Sequence, residues 1–317
     1  MKTPHYDLWK YNFLTKYPVF SLRTLFLILK SMKNDGAVHF PHEGISAYLN
    51  LVHSDKKIVT VHELSSFLFP ECREHIFIQG SIRRNLKKAD KIIAPSNNTK
   101  KDLINVLGIP NEKIHVVYQG INHKIFYPRN TKIFDFPYVL YVGIDHPKKN
   151  LKNMLIAFYI LKNKSNNKKI QKLKFVKVGE DKRFMDETKK IVKNLNLSKD
   201  VVFTGYVSDY ELPKYYSSAE LLLYCSLYEG FGLPVIEAMA CGCPVITSNI
   251  SSLPEVAGDA GVLVDPKDPE AICREMEKII TDEETREDLM KKGLKRAKEF
   301  SWDKTAEETY KVYKTLK

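Results

Sequence analysis

Short apolar runs alternate with segments of helical periodicity along most of this chain. Ten short runs, rich in Val, Ile, Leu and Tyr, are typical of buried strands: 37–40, 57–61, 91–94, 114–118, 138–142, 173–178, 201–203, 221–224, 245–247 and 261–264. Helix-like stretches lie between them at 98–107, 151–162, 183–194, 234–240 and 269–280. Short strands that alternate with helices form parallel sheets covered on both faces, so the pattern predicts an α/β fold.

The segment 126–137 interrupts this pattern, because it carries two prolines and little periodicity. We interpret it as the linker between two doubly wound domains, for which 317 residues are sufficient. The predicted division is a first domain at 1–130, a second at 131–299 and a final helix within 300–317 that Ser301 caps. In such folds ligands bind beyond the carboxyl ends of the strands, here across a central cleft between the domains.

The net charge of +12 is unevenly distributed along the chain. Residues 1–133 hold 20 Lys and Arg against 10 Asp and Glu, whereas the remaining residues hold 30 against 28. A basic first half suggests an anionic partner: an acidic membrane surface, a phospholipid-linked acceptor or nucleic acid. Lysine enrichment through genome bias or thermal adaptation is the alternative explanation. Nucleic acid is disfavoured, since the chain has no helix-turn-helix, finger spacing or aromatic-basic platform.

The apolar stretch at 19–29 is too short to span a bilayer, which takes about 20 residues, and Arg23 interrupts it. Its apolar positions fit one face of a helix, and no signal-peptide cleavage site follows it. The five cysteines follow neither a disulfide framework nor a zinc spacing. We therefore expect a cytoplasmic protein with buried thiols, whose basic half contacts the inner face of an acidic membrane peripherally.

Two carboxylates, Glu229 and Glu237, bracket a turn and the beginning of a helix. The intervening turn reads Gly230, Phe231, Gly232, Leu233 and Pro234. Glycines allow the backbone to approach a ligand, proline suits a first helical turn, and helix N–H groups bind phosphate. Carboxylates accept hydrogen bonds from sugar hydroxyls. The spacing alone also occurs by chance, in which case Glu237 is an ordinary solvated helix residue.

Two further elements carry candidate chemistry. Gly143 ends a predicted strand, and Lys148 and Lys149 precede a helix near Asn150, where they could compensate a diphosphate or simply lie on a solvated surface. His62 follows the strand 57–61 and is either a site residue or a structural histidine. The two other histidines at this edge, His39 and His42, are candidates for the acceptor side.

These elements together resemble a known family. The segment with Glu229 and Glu237 resembles the Glu-x7-Glu signature of the retaining GT-B glycosyltransferases of the "group 1" family, in particular its mannosyltransferase-like branch. The run from Gly143 to Asn150 is similar to the family's Gly…Arg-Lys-Asn element, and 59–64 resembles its Val-Thr-Val-His-Asp-Leu. The segments 89–96 and 116–122 match further landmarks in the right order. The resemblance covers about residues 37–317 and fails in the first 36.

The resemblance implies a GT-B fold, in which two doubly wound Rossmann-like domains face a central cleft and the final helix crosses back to the first domain. Family members usually begin with a strand and a glycine-rich loop, but residues 1–36 have no glycine before Gly36. The first domain is therefore expected to be abbreviated. Either another element completes the cleft, or the acceptor site is unusual, or a partner chain contributes.

The resemblance also implies roles for individual residues. His62, Lys149 and Glu229 would form the catalytic centre, with His62 positioning the reacting groups, Lys149 holding the donor phosphates and Glu229 binding sugar hydroxyls. Glu237 would bind the ribose, and Lys148 would be the second phosphate contact, because Ile144 stands where many members have arginine. Backbone N–H groups near Phe231, Gly232 and Leu233 would share the phosphate charge.

The reaction implied is the retaining transfer of a hexose, of mannose or glucose type, from a nucleotide diphosphate sugar to a hydroxyl of a glycan or lipid-linked acceptor. The sequence has no Asp-x-Asp triplet, so we expect no metal and no cofactor. A non-catalytic subunit that binds sugar nucleotides is the alternative.

Overall fold

A computed structural model of the protein describes residues 37–44, 46, 49, 54, 56–69, 76–179 and 184–316. Three expectations lie outside these residues: the helical face at 19–29, the unusual beginning of the first domain at 1–36 and the burial of Cys72. Within the described ranges, no helix has the length and apolarity that crossing a membrane requires. The thiols of Cys225, Cys241, Cys243 and Cys273 are buried and unbridged.

The strands form two parallel sheets, as predicted, and every strand bound lies within two residues of its prediction. The four-stranded sheet has the order β1-β2-β3-β4 and consists of β1 (Val38–Phe40), β2 (Lys57–Thr60), β3 (Lys91–Ala94) and β4 (Ile114–Val116). The six-stranded sheet has the order β10-β9-β8-β5-β6-β7 and consists of β5 (Tyr138–Val142), β6 (Lys174–Val178), β7 (Val201–Gly205), β8 (Leu221–Tyr224), β9 (Val245–Ser248) and β10 (Val262–Val264).

Helices cover these sheets, and the predicted ones are all present. They are α1 (Ser65–Leu68), α2 (Ile76–Leu86), α3 (Asn97–Leu107), α4 (Leu151–Lys164), α5 (Lys168–Lys172), α6 (Met185–Asn194), α7 (Leu212–Ser218), α8 (Leu233–Ala240), α9 (Leu253–Ala257), α10 (Pro269–Thr281), α11 (Glu283–Ala297) and α12 (Trp302–Lys314). Single 3-10 turns lie at Asn111–Lys113, Pro147–Lys149 and Gly258–Ala260.

The order of the six-stranded sheet fixes where a ligand can bind. The chain runs from β5 outward through β6 and β7, then returns to the other side of β5 with β8, β9 and β10. Strand β5 pairs in parallel with both β6 and β8, so the winding direction reverses between β5 and β8. Beyond the carboxyl ends of such a pair, the two outgoing loops separate and leave a crevice.

Each half has its own apolar core, and the last helix joins them. The second core includes Ile121 and Phe126, which come before the predicted boundary at residue 130; the domain bounds themselves stay a prediction. Helix α12 begins after Ser301, whose hydroxyl accepts a hydrogen bond from the Lys304 N–H at 3.2 Å. Near its other end, Val312 packs with apolar residues of the first sheet. Helix α12 thus packs back onto the first half.

Candidate functional site

A cavity of about 440 Å³ lies between the two sheets, where their carboxyl ends face each other. The first half contributes His62, Glu63 and Gln119 to its lining, and the second contributes residues 142–144, 148–149, 224 and 229–234. The catalytic and donor-binding candidates from the sequence therefore line one cavity, apart from Glu237, which lies deeper in α8.

A buried ion pair lies at the switch point of the second sheet. The Lys149 ammonium contacts both carboxylate oxygens of Glu229, at 2.7 and 2.9 Å. The hydroxyl of Tyr224, the last residue of β8, donates to Glu229 at 2.8 Å and accepts from Lys149 at 3.0 Å. Burial is the largest single effect and lowers the pKa of Lys149, but the charge and hydrogen bond of Glu229, with smaller contributions from Tyr141 and Glu63, together raise it above its ordinary value, so the side chain is a cation. Tyr224 is a site residue that the sequence pattern did not indicate.

The turn before α4 fixes the position of this cation. Asn150 adopts a left-handed conformation, with φ of 58°, and so ends the 3-10 turn Pro147–Lys149 immediately before the helix. The Asn150 amide donates to the carbonyls of Cys225 and Pro266, at 2.9 and 2.6 Å. The Leu227 N–H donates to the Lys148 carbonyl at 2.7 Å. The lysine turn is therefore attached to the loop that follows β8.

Lys148 is buried and pairs across the cleft with Glu63 of the first half. The Ser65 hydroxyl donates to the same carboxylate at 2.6 Å. Burial alone would raise the pKa of Glu63, but Lys148 and these hydrogen bonds lower it below its ordinary value. Glu63 was not among the predicted site residues, although it directly follows His62 and is acidic like its counterpart in the family's motif.

His62 is held by hydrogen bonds on both ring nitrogens. Its Nε2 lies 2.9 Å from the Pro41 carbonyl, which can only accept, so Nε2 carries the proton. Its Nδ1 then accepts from the Gln119 amide at 3.2 Å. An imidazole whose two nitrogens are both engaged in this way is suited to positioning rather than to nucleophilic attack.

The other two histidines contribute differently. His39 lies between the hydroxyls of Thr60 and Tyr313, at 2.8 and 2.6 Å, and so connects β1 to α12. Burial, with a smaller contribution from His62, lowers its pKa to about 4. His42 lies next to the site, with its ring centroid 5.7 Å from that of His62. Of the two acceptor-side candidates, His42 is the one beside the cleft.

The glycine turn is a close contact between the halves. A Cβ on Gly230 would lie 1.9 Å from the His62 carbonyl oxygen, so only glycine fits without a shift of backbone. The Gly230 carbonyl accepts from Ser96, the N-cap of α3, at 2.7 Å and from Thr99 at 3.2 Å. Gly232, with φ of 111°, directly precedes the first residue of α8. Residues 230–232 are thus positioned by both halves.

Glu255 of the second half makes a second contact, at the beginning of α3. Its carboxylate accepts from the backbone N–H groups of Asn97 and Asn98, at 2.9 and 3.0 Å, and from the Tyr118 hydroxyl at 3.1 Å. The first N–H groups of a helix have no partner within it, so Glu255 acts as a cap supplied from the other half. The relative position of the halves is therefore fixed near the cavity.

Glu237 lies about one turn into α8, where its carboxylate accepts from the buried Tyr216 hydroxyl at 2.8 Å. Burial raises its pKa to about 7, and the neighbouring charge of Asp209 adds to this rise. Its predicted contact with a ribose stays a prediction. In the part of the chain that the structure describes, no cluster of three His, Cys, Asp or Glu side chains could hold a metal ion.

The chain has two Rossmann-like halves that meet at one cleft. A lysine and a Glu-x7-Glu segment lie beyond the switch-point strands. These features define the GT-B class of glycosyltransferases. The sequence profile described as "Glycosyl transferases group 1" matches residues 124–296, and that described as "Glycosyltransferase Family 4" matches 3–125. The chain belongs to the group 1 glycosyltransferases and is an enzyme of this kind. The expectation that the resemblance fails before residue 37 is wrong, since the second profile begins at residue 3.

Known proteins agree with this assignment. The chain is 31% identical over 275 residues to O-antigen chain mannosyltransferase B of Escherichia coli, covering 83% of this chain and 71% of that protein. Its fold matches sucrose-phosphate synthase from Thermosynechococcus elongatus, with a TM-score of 0.80, 24% identity and coverage of 100% and 80%. It also matches HepE from Anabaena, solved with UDP and glucose, with a TM-score of 0.76, 16% identity and coverage of 95% and 83%. Likeness at these identities shows the fold.

Proposed function

We propose that the protein transfers a hexose, with retention of anomeric configuration, from a nucleotide diphosphate sugar to a hydroxyl of a glycan or lipid-linked acceptor. Mannose is the favoured hexose, because the relative at 31% identity is named as a mannosyltransferase. UDP and glucose in the solved HepE structure support a sugar nucleotide as the donor class.

The observation that carries this proposal is the buried Lys149–Glu229 pair beside the cavity. A buried cation that is fixed in place suits the charge of a donor phosphate, and its interaction is stronger there than in water. The carboxylate next to it can accept hydrogen bonds from sugar hydroxyls without moving far. One pair thus recognises both chemical parts of a sugar nucleotide.

The chemistry follows from these positions. The bond between the anomeric carbon and the phosphate oxygen breaks, and the acceptor oxygen bonds to the anomeric carbon on the same face. The leaving phosphate oxygen takes the acceptor proton, while Lys149, Lys148 and the N–H groups at the beginning of α8 stabilise its charge. His62 lines the cavity and orients the reacting sugar by contact with its ring, whose two nitrogens are held by Pro41 and Gln119. No pair of carboxylates with the roles of a glycosidase is needed.

The acceptor side is assigned to the first half, where a basic surface supports peripheral contact with an acidic membrane. Helix α2 ends with exposed Arg83 and Arg84, and Lys87 and Lys88 follow it on the surface. Vesicles of phosphatidylglycerol should therefore sediment with the protein at low salt and release it at high salt. Equal binding to neutral vesicles would argue against an electrostatic contact.

A screen of sugar nucleotides tests the proposal. GDP-mannose, GDP-glucose, UDP-glucose and UDP-galactose are each measured for thermal stabilisation and for slow donor hydrolysis. We expect one donor to stabilise the protein and to be hydrolysed to the sugar with its original anomeric configuration, as seen by NMR before mutarotation. Activity should persist in EDTA, because lysines compensate the diphosphate. Binding without any hydrolysis or transfer would instead favour a non-catalytic subunit.

A further inference from the structure

Among the residues that the structure describes, the lining of the cleft includes two lysines and two glutamates, and each lysine is paired with one glutamate. A nucleotide diphosphate sugar adds negative charge on both of its phosphates. Lys148 and Lys149 are both buried or nearly so, with side chains 9% and 14% exposed. Their ammonium groups cannot turn freely toward water. A diphosphate can therefore form ion pairs with both lysines, without a carboxylate neutralising one of them, only if one carboxylate moves away.

The two carboxylates differ in how firmly they are held. Glu229 is bound by Lys149 through both oxygens and by Tyr224, and its side chain is 8% exposed. Glu63 has a side chain that is 29% exposed. Lys148 and Ser65 both bind the same oxygen of Glu63, Oε1, and Glu63 lies between β2 and α1 of the opposite half. Glu63 is therefore the carboxylate that can exchange.

We propose that Glu63 is a built-in competitor of the donor: it neutralises Lys148 in the empty cleft and is displaced from it when the diphosphate binds. This inference rests on the proposed function, because it takes the donor to be a diphosphate. A buried lysine without a counter-charge destabilises the folded protein, so Glu63 stabilises the cleft as long as no donor is bound. The diphosphate then replaces Glu63 as the counter-charge of Lys148. The affinity for the donor is set by how much more favourably Lys148 interacts with the diphosphate than with Glu63.

A permanent ion pair between the halves is the competing explanation, and it makes the opposite prediction. If Glu63 only ties the halves together, its neutralisation loosens the cleft and weakens donor binding. If Glu63 competes with phosphate, its neutralisation tightens binding. The sign of the change therefore decides between them.

The test is calorimetric titration of the full chain with GDP, UDP and inorganic pyrophosphate. In Glu63→Gln we expect binding about tenfold tighter, which corresponds to about 1.4 kcal/mol. Glu112→Gln, an exposed carboxylate of the same half, removes the same net charge and should bind as the wild type does. In a Lys148→Met background, Glu63→Gln should have no effect, because the competition needs both partners.

A second variant keeps the charge of Glu63 and tests the same inference if Glu63→Gln folds poorly. Ser65→Ala removes the 2.6 Å hydrogen bond that holds Glu63 and should also tighten binding, by about threefold, which is within the usual worth of one such bond. Unchanged or weaker binding in both variants would overturn the inference, as would a tightening that persists in the Lys148→Met background. Wild-type protein that binds none of the three probes would instead refute the proposed function.

Discussion

Glu237 gives the protein a pH dependence that its structure allows us to work out. Its folded pKa of about 7 compares with an ordinary value of 4.5, and burial is the main cause. Because the folded pKa is raised, the bound proton favours the folded state fully below about pH 4.5, and this contribution is lost as pH rises through 7. The difference between the two values corresponds to a loss on the order of 3 kcal/mol in the free energy of unfolding.

Glu237→Gln removes this ionisation and keeps a side chain that can accept from Tyr216. Urea denaturation of wild type and variant is measured at intervals from pH 4.5 to pH 8.5. The variant should gain stability relative to wild type as pH rises, by up to about 3 kcal/mol, and the gain should level off above about pH 7. Glu284→Gln, an exposed change in α11, should show no such trend. If the difference in the free energy of unfolding between wild type and variant did not change with pH, the reasoning would be refuted.

The remaining predictions concern the contacts between the halves. Gly230→Ala places a Cβ against the His62 carbonyl and should weaken nucleotide binding at least tenfold, or about 1.4 kcal/mol by calorimetry. Gly80→Ala, at a position with open space around it, is the control and should leave binding unchanged. Equal affinity in both variants would contradict the importance of the close approach at Gly230. Glu255→Ala removes the carboxylate that the second half supplies to the first N–H groups of α3, while the Ser96 cap remains, and should lower the free energy of unfolding by about 1–2 kcal/mol and raise the donor KM. The exposed Glu270→Ala is its control, and equal values for the two variants would count against a role of Glu255 in joining the halves.

The fold could be predicted largely from local pattern. Buried parallel strands such as Tyr138–Val142 are continuous apolar runs, which the sequence displays directly. Helix α11 was not among the predicted helices, because it is mostly charged and buries only Leu289, Gly293 and Ala297. A helix with so narrow an apolar stripe is stabilised by its packing partners, and these cannot be read from the sequence alone.

The site could be predicted in part. Lys149 and Glu229 were placed in one cleft from their motifs, but they are 80 positions apart in the chain, so their direct pairing is a tertiary fact. Tyr224 and Glu63 lacked a distinctive spacing: one is an aromatic at a strand end, the other an acidic residue in a loop. Their importance arises from the groups that face them in the cleft, which only the folded chain defines.

The central claim is that the buried Lys149–Glu229 pair binds the donor whose sugar is transferred. It is tested most directly by the turnover of Lys149→Met with the donor found in the screen, alongside Lys152→Met, an exposed lysine of α4. With folding verified by circular dichroism, we predict that kcat/KM falls at least about 100-fold in Lys149→Met and stays near the wild-type value in Lys152→Met. A folded Lys149→Met protein that turns over its donor as fast as the wild type would contradict the claim.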